Sequence, residues 1–277
     1  MPKVMTGQDD SGTYKYLLSQ EDFSNCLLHS YEIPLRNGSE NSDHKRVWLN
    51  CGSNKGAELE WFLDNVHFAD ETEIHLFEPT PGLGEKYLTR MKEDPQKQYI
   101  NYDNITLHDV AVWDRNEKKD FHKLFDVQSA GSTLYGSKIR QAGRQVEEVI
   151  SVDAINFSEF ITDNFSKDDY IAVLMDIEGS EFKVLYRMIK DGLLYEYINQ
   201  LDVEMHTDKL EQFNHEDVNV LLDMMKKFGE VRFETLYFHI NYLPKIHERA
   251  LPEEWIRFER KHPDFQPFCR KIPVAYR

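Results

Sequence analysis

Cysteine is scarce in this chain: Cys26, Cys51 and Cys269 are the only three in 277 residues. The number is odd, the spacing is wide, and no pair has metal-finger separation, so no disulfide framework is encoded. A reducing compartment is the simple expectation. Positive charge is also in deficit: 33 Lys and Arg stand against 49 Asp and Glu, for a formal net charge of -16. Nucleic-acid binding rests on clustered Lys and Arg that neutralise phosphates, so nucleic acid is not an expected partner. No apolar run approaches membrane-spanning length. The stretch from Met1 to Asp10 lacks the apolar core of a signal peptide. A soluble, cytoplasmic protein with no membrane partner is therefore expected. Internal repeats and low-complexity segments are missing too.

What is present is a globular composition, 40% hydrophobic and 30% charged. That length and composition suit one large domain with decorations. Residues 1–46 read as an N-terminal extension. A short helix is expected from Ser19-Gln20-Glu21-Asp22, and a polar loop over Arg36 to Asp43. Residues 47–245 read as the main domain, and 246–277 as a C-terminal extension.

From Val47 onward, strands alternate with helices. Val47 to Cys51, Ile74 to Phe77, Ile105 to Val112, Ile171 to Met175 and Gln200 to Met205 read as strands. Ala57 to Phe68, Leu83 to Lys92, Phe157 to Phe165, Glu181 to Lys190 and Asp217 to Phe228 carry helical spacing. Lys119 to Phe125 and Gln145 to Val152 read as strands of a mid-chain insertion, and Glu230 to Tyr242 holds one or two last strands. The run Ile171-Ala172-Val173-Leu174-Met175 is wholly apolar, as at the centre of a parallel sheet covered on both faces. The expected fold is α/β, a Rossmann-like, doubly wound, mostly parallel sheet. Such sheets bind ligands at the carboxyl ends of their strands, where strand order reverses.

The residues at those strand ends are therefore the candidates. The first strand runs into Asn50-Cys51-Gly52-Ser53-Asn54-Lys55-Gly56. Gly52 permits a turn that residues with a β-carbon resist. Gly56 lets a helix start close beneath a ligand, with its N–H groups facing an acceptor. A purely structural strand-to-helix turn has the same look. The second strand ends in Glu78-Pro79, and an acid there is placed to hold ribose hydroxyls; a solvated strand-end acid is the alternative. Gly52 and Gly56 do not keep the spacing G-x-G-x-x-G, which tilts the reading from a nicotinamide cofactor to S-adenosylmethionine. On the third strand, Asp109 could accept from an adenine amino group while Ala111 and Val112 pack on the ring, or all three are ordinary strand residues.

The fourth and fifth strands end in acids. Met175-Asp176-Ile177-Glu178-Gly179-Ser180-Glu181 puts Asp176 and Glu178 on one side if the strand continues. Leu201-Asp202-Val203-Glu204-Met205-His206 does the same for Asp202, Glu204 and His206. A carboxylate ending a buried strand is costly unless paired, bound to metal or wetted by a cleft. Asp176, Glu178, Glu204 and His206 are thus the catalytic candidates, and Asp176, Glu178 and Glu204 the candidate ligands of a divalent cation. Glu181 reads as a favourable first-turn acid. The insertion from Gln128 to Arg144 is Gly- and Ser-rich, with basic residues at Lys138, Arg140 and Arg144. It is either a lid or anion contact, or a solvated loop.

These motifs together resemble the FkbM-type methyltransferase family. The resemblance runs from about Val47 to His206. It rests on Leu49 to Gly56, Phe77-Glu78-Pro79, Asp109 to Val112, Gly131-Ser132-Thr133, Val152-Asp153-Ala154-Ile155, and above all on Asp176 to Glu181 followed by Val203-Glu204-Met205-His206. The family pattern usually has an acid at Asn50 and Gly-Ala-Asn at Gly52-Ser53-Asn54. The resemblance implies a class I methyltransferase fold and S-adenosylmethionine held by Asn50, Cys51, Gly52, Ser53, Asn54, Gly56, Glu78, Pro79, Asp109, Ala111, Val112 and Asp176. It implies O-methylation of a sugar or other small-molecule hydroxyl. A nicotinamide-dependent oxidoreductase and a non-catalytic binding protein on the same sheet are the rival readings.

Overall fold

A computed structural model describes residues 6–8, 14–16, 44–66, 69–124, 131–136, 145–204, 206 and 237–239. The expected helices from Ser19 and from Asp217, the loop Arg36 to Asp43, and the basic residues Lys138, Arg140 and Arg144 lie outside the described residues. At the N-terminus, β1 (Thr6–Gln8) and β2 (Tyr14–Tyr16) pair as an antiparallel hairpin that the sequence pattern did not announce.

The main sheet contains β3 (Arg46–Cys51), β4 (Thr72–Phe77), β5 (Ile105–His108), β9 (Tyr170–Met175), β10 (Ile198–Glu204) and β11 (Tyr237–His239). Its order is β11-β10-β9-β3-β4-β5, and every neighbouring pair is parallel. Order reverses between β3 and β9, as a doubly wound sheet requires. Register then decides where the loops emerge. Cys51 is level with both Phe77 and Met175, so the chain leaves β3, β4 and β9 at one height on one edge.

Side-chain parity divides the core in two. Val47, Leu49, Cys51, Val173 and Met175 face α3 (Phe157–Asn164), α4 (Glu181–Lys190) and α5 (Leu193–Glu196). Trp48, Ile74, Leu76 and Ala172 face α1 (Ala57–Asn65) and α2 (Leu83–Glu93). Trp48 stacks on Phe62 of α1, with ring centroids 4.1 Å apart. In α4, Phe182, Leu185 and Ile189 recur at helical spacing and are buried. Full burial of a side chain of this size stabilises by about 1.5–3 kcal/mol. Gly192, at φ +75°, ends the turn after α4.

One expected strand is in fact two. Ile105 to Val112 breaks at Asp109-Val110: β5 stays in the main sheet, while β6 (Ala111–Trp113) joins a second sheet with β7 (Glu117–Leu124) and β8 (Val146–Asn156), in the order β6-β8-β7. The apolar run hid the break because Ala111, Val112 and Trp113 are buried as deeply as main-sheet residues, but partly against a different core that includes Phe121, Val152 and Ala154. This small sheet stands over the edge where β3, β4 and β9 end. No helix among the described residues is long and apolar enough to cross a membrane.

Candidate active site

The loops after β3, β4 and β9 meet in a cavity of 290 Å³ whose far wall is the small sheet. Gly52, Asn54, Lys55, Ala57 and Glu58 line it from the first loop and the start of α1; Phe77, Glu78 and Pro79 from β4; Asp176, Ile177, Glu178 and Ser180 from the turn after β9. Ala111, Val112, Phe121, Gly131, Ser132 and Leu134 complete it.

Of the residues expected to hold a nucleoside, Gly52, Asn54, Glu78, Pro79, Ala111, Val112 and Asp176 line this cavity, whereas Asn50, Cys51, Ser53, Gly56 and Asp109 do not. Side-chain parity accounts for the place of two of them. Cys51 packs into the core with Phe77 and Met175, and burial pushes its thiol pKa well up. Asn50 takes the opposite face, with Trp48, and is 1% exposed; its Nδ2 has no hydrogen-bond partner among the described residues. Ser53 is buried, and its N–H donates to the Phe77 carbonyl. Asp109 is exposed, and its charge adds to the rise in the Glu78 pKa that burial mainly causes.

Both signature glycines answer to neighbours within the protein. A β-carbon on Gly52 (φ +89°) would lie 1.9 Å from the Asp176 carbonyl oxygen, which is how closely the first loop lies on the turn after β9. One on Gly56 (φ +71°) would lie 2.1 Å from the Tyr87 ring, whose hydroxyl donates to the Gly56 carbonyl at 2.7 Å. Gly56 therefore serves the packing of α1 on α2.

Glu78 is buried at the end of β4, and both of its oxygens are held. The Asn54 N–H donates to Oε2 at 2.9 Å and the Thr80 N–H to Oε1 at 2.8 Å. Burial raises its pKa, and those two bonds oppose the rise. Each carboxylate oxygen has a second lone-pair site, which leaves room for ribose hydroxyls. Asn54 Oδ1 and Ser180 Oγ are buried without partners among the described residues. An acid, the unpartnered Asn54 Oδ1 and an apolar wall of Ala111, Val112, Phe121 and Leu134 form a polar and packing set that fits an adenosine.

The turn after β9 differs from its expected form. The strand stops at Met175, and Glu178 has φ +56°, so Asp176 and Glu178 do not alternate along one strand face. A fully buried carboxylate builds the turn instead. Glu181, 0% exposed at the first position of α4, accepts from the Ile177 N–H at 3.1 Å and from the Gly179 N–H at 2.8 Å. His206 Nδ1 lies 3.1 Å from the same carboxylate. His206 also lies 3.8 Å from Asp176 (Nδ1 to Oδ1) and 3.4 Å from Glu178 (Nε2 to Oε2). Thr133 Oγ1 donates to the Glu178 carbonyl at 2.7 Å, which ties the insertion to the turn.

The structure thus brings Asp176, Glu178 and His206 together, and Glu204 closes β10 two residues before His206. Sequence reasoning missed Glu181 as a site residue. The available signal was a third acid directly after Gly179-Ser180, which can reach back to loop N–H groups much as a capping-box acid does. Thr133 stands in the sequence only as part of the Gly131-Ser132-Thr133 motif, and its pairing with Glu178 is not legible there, because their bond spans 45 positions.

A family model described as the Methyltransferase FkbM domain matches residues 50–234. Among solved structures, the chain is similar to the crystal structure of Methyltransferase FkbM from Methylobacillus flagellatus KT. The two are 17% identical with a TM-score of 0.32, over 58% of this chain and 34% of the other. The chain spans about a third of the length of that protein. No curated protein matches the chain.

Proposed function

The chain belongs to the FkbM methyltransferase family, and from that premise we propose that it transfers a methyl group from S-adenosylmethionine to a hydroxyl oxygen of a sugar or another small molecule. The observation that carries the reading is the convergence of Gly52, Glu78 and Asp176 on one cavity at the sheet's switch point. When bound, S-adenosylmethionine supplies an electrophilic methyl on a sulfonium.

The chain's own residues have distinct tasks in this reading. Glu78 holds the ribose hydroxyls through its remaining lone pairs. Ala111 and Val112 pack against the adenine. Asp176, which lines the same cavity, would hold the methyl-bearing end of the donor. The acceptor hydroxyl is held, and gives up its proton, at the cluster of Asp176, Glu178 and His206, with Glu204 at the neighbouring strand end. Alignment of oxygen and methyl lowers the barrier by fixing geometry before reaction, and proton removal raises the oxygen's nucleophilicity.

Calorimetric titration with S-adenosylmethionine is the direct test. Saturable binding is expected, and none at high micromolar ligand would sink the reading. Gly52→Arg is expected to abolish binding, because no side chain fits against the Asp176 carbonyl. Glu78→Ala is expected to weaken it by about 10–100-fold, the worth of a hydrogen bond to a charged group. Incubation with labelled donor and a panel of hydroxylated acceptors should then give an O-methyl ether.

A further inference from the structure

We propose that Asp176, Glu178 and His206 form a binding site for a divalent transition-metal ion of the Mn2+ class, with Glu181 as the residue that positions its histidine. The proposal rests on the reading of the cavity as the methyl-transfer site and names what holds the acceptor there.

One donor atom from each of the three side chains lies within 4.8 Å of the other two. His206 Nε2 and Glu178 Oε2 are 3.4 Å apart. Two adjacent donors on an octahedral ion with bonds of about 2.1 Å are about 3 Å apart, so this pair needs only a small closing movement, and Asp176 must swing in from within 4.8 Å. The histidine is also oriented for the task. Metal-bound imidazoles nearly always give their second ring N–H to a carboxylate or carbonyl, which fixes the tautomer. Here Nδ1 faces the buried Glu181 carboxylate at 3.1 Å and Asp176 Oδ1 at 3.8 Å; with its proton given to Glu181, Nδ1 would leave the Nε2 lone pair on the side of Glu178. Glu181 is itself held by the Ile177 and Gly179 N–H groups, so the support is rigid.

A second observation is independent of this cluster. Ser180 is 1% exposed, its Oγ makes no hydrogen bond among the described residues, and it lines the same cavity as Asp176 and Glu178. A buried hydroxyl without a partner is costly. It is explained if the cavity holds a ligand or an ion-bound water that bonds to it. The ion class follows from the donors. Mg2+ prefers oxygen ligands and keeps much of its water, whereas an imidazole nitrogen favours a first-row transition ion. The ligand set expected from sequence is Asp176, Glu178 and Glu204; among the described residues the geometry brings Asp176 and Glu178 together with His206.

Titration of the full chain with Mn2+, followed by loss of the free-ion signal in electron paramagnetic resonance, tests the proposal. One saturable site per chain is expected, poorly displaced by excess Mg2+. Glu178→Gln and His206→Gln should remove it while thermal melting remains cooperative. Glu181→Gln should weaken it by about 10–100-fold and alter the bound-Mn2+ spectrum, as for loss of a group behind a ligand. No saturable binding, binding unchanged in both ligand variants, or displacement by equimolar Mg2+ would each overturn the proposal. Titration with S-adenosylmethionine in a chelator separates the two ideas. Cofactor binding without Mn2+ binding overturns this inference alone; Mn2+ binding without cofactor binding overturns only the methyl-transfer reading.

Discussion

The loop after β3 and the turn after β9 touch each other, yet they are built on opposite principles. The first depends on what is missing. Gly52 and Gly56 carry no side chain, and each has a neighbour where a β-carbon would stand. The second depends on what is buried. Its backbone N–H groups converge on the Glu181 carboxylate, and His206 shares that acceptor. One loop is fixed by steric fit and the other by an electrostatic scaffold. A glycine-rich sequence therefore signals close approach, and the thing approached need not be a ligand.

Variants that attack each principle separate the two loops. Glu181→Ala should have the largest effect, about 3–5 kcal/mol of lost stability, because it strands the Ile177 and Gly179 N–H donors at about 1–3 kcal/mol each. Urea denaturation measures it, and a loss below about 1 kcal/mol would show that the turn holds without its scaffold. Gly52→Ala comes next, at about 2–4 kcal/mol, from a positive φ combined with overpacking against the Asp176 carbonyl. An unchanged denaturation midpoint for that variant would refute the steric account. Tyr87→Phe should cost about 0.5–1.5 kcal/mol, the net worth of one hydrogen bond. The Gly56 carbonyl still accepts from the Glu60 N–H at 3.0 Å, so it is not left unpaired, and the value should fall low in that range.

A further effect, absent at neutral pH, is a pH dependence that belongs to neither loop. His75 and His108 lie side by side, with Nδ1 and Nε2 2.9 Å apart, among Phe77, Phe160 and Phe165. Burial lowers both pKa values, that of His108 to about 4. The folded chain therefore keeps His108 neutral where the unfolded chain would take up a proton. Its contribution is complete above about pH 6.5, the ordinary imidazole value, and is lost as pH falls towards 4. Melting temperature should follow that course, and His108→Gln should make it shallower. An unchanged slope in the variant would assign the acid sensitivity to other groups.

Much of the fold was legible. The wholly apolar run Ile171 to Met175 identified the central strand, and α4 has the bounds that its spacing predicts. The split at Asp109-Val110 was not legible, because a buried strand reads alike whichever sheet it joins. The site was legible as a set of strand ends and not as a set of contacts. Glu78 and Asp176 could be named from position; the exclusion of Asn50 and Cys51 from the cavity required knowing which face of β3 meets which core.

The sequence alone determined the alternation of strand and helix, the acids at strand ends and the resemblance to the family. Local patterns carry that information, since hydrophobic period and turn chemistry act over a few residues. The tertiary structure alone decided which carboxylate is the keystone. Glu181 looks like any first-turn acid until α4 docks and β10 delivers His206 from 25 positions away. Burial and long-range hydrogen bonds are properties of the assembled sheet, and no short window of sequence contains them.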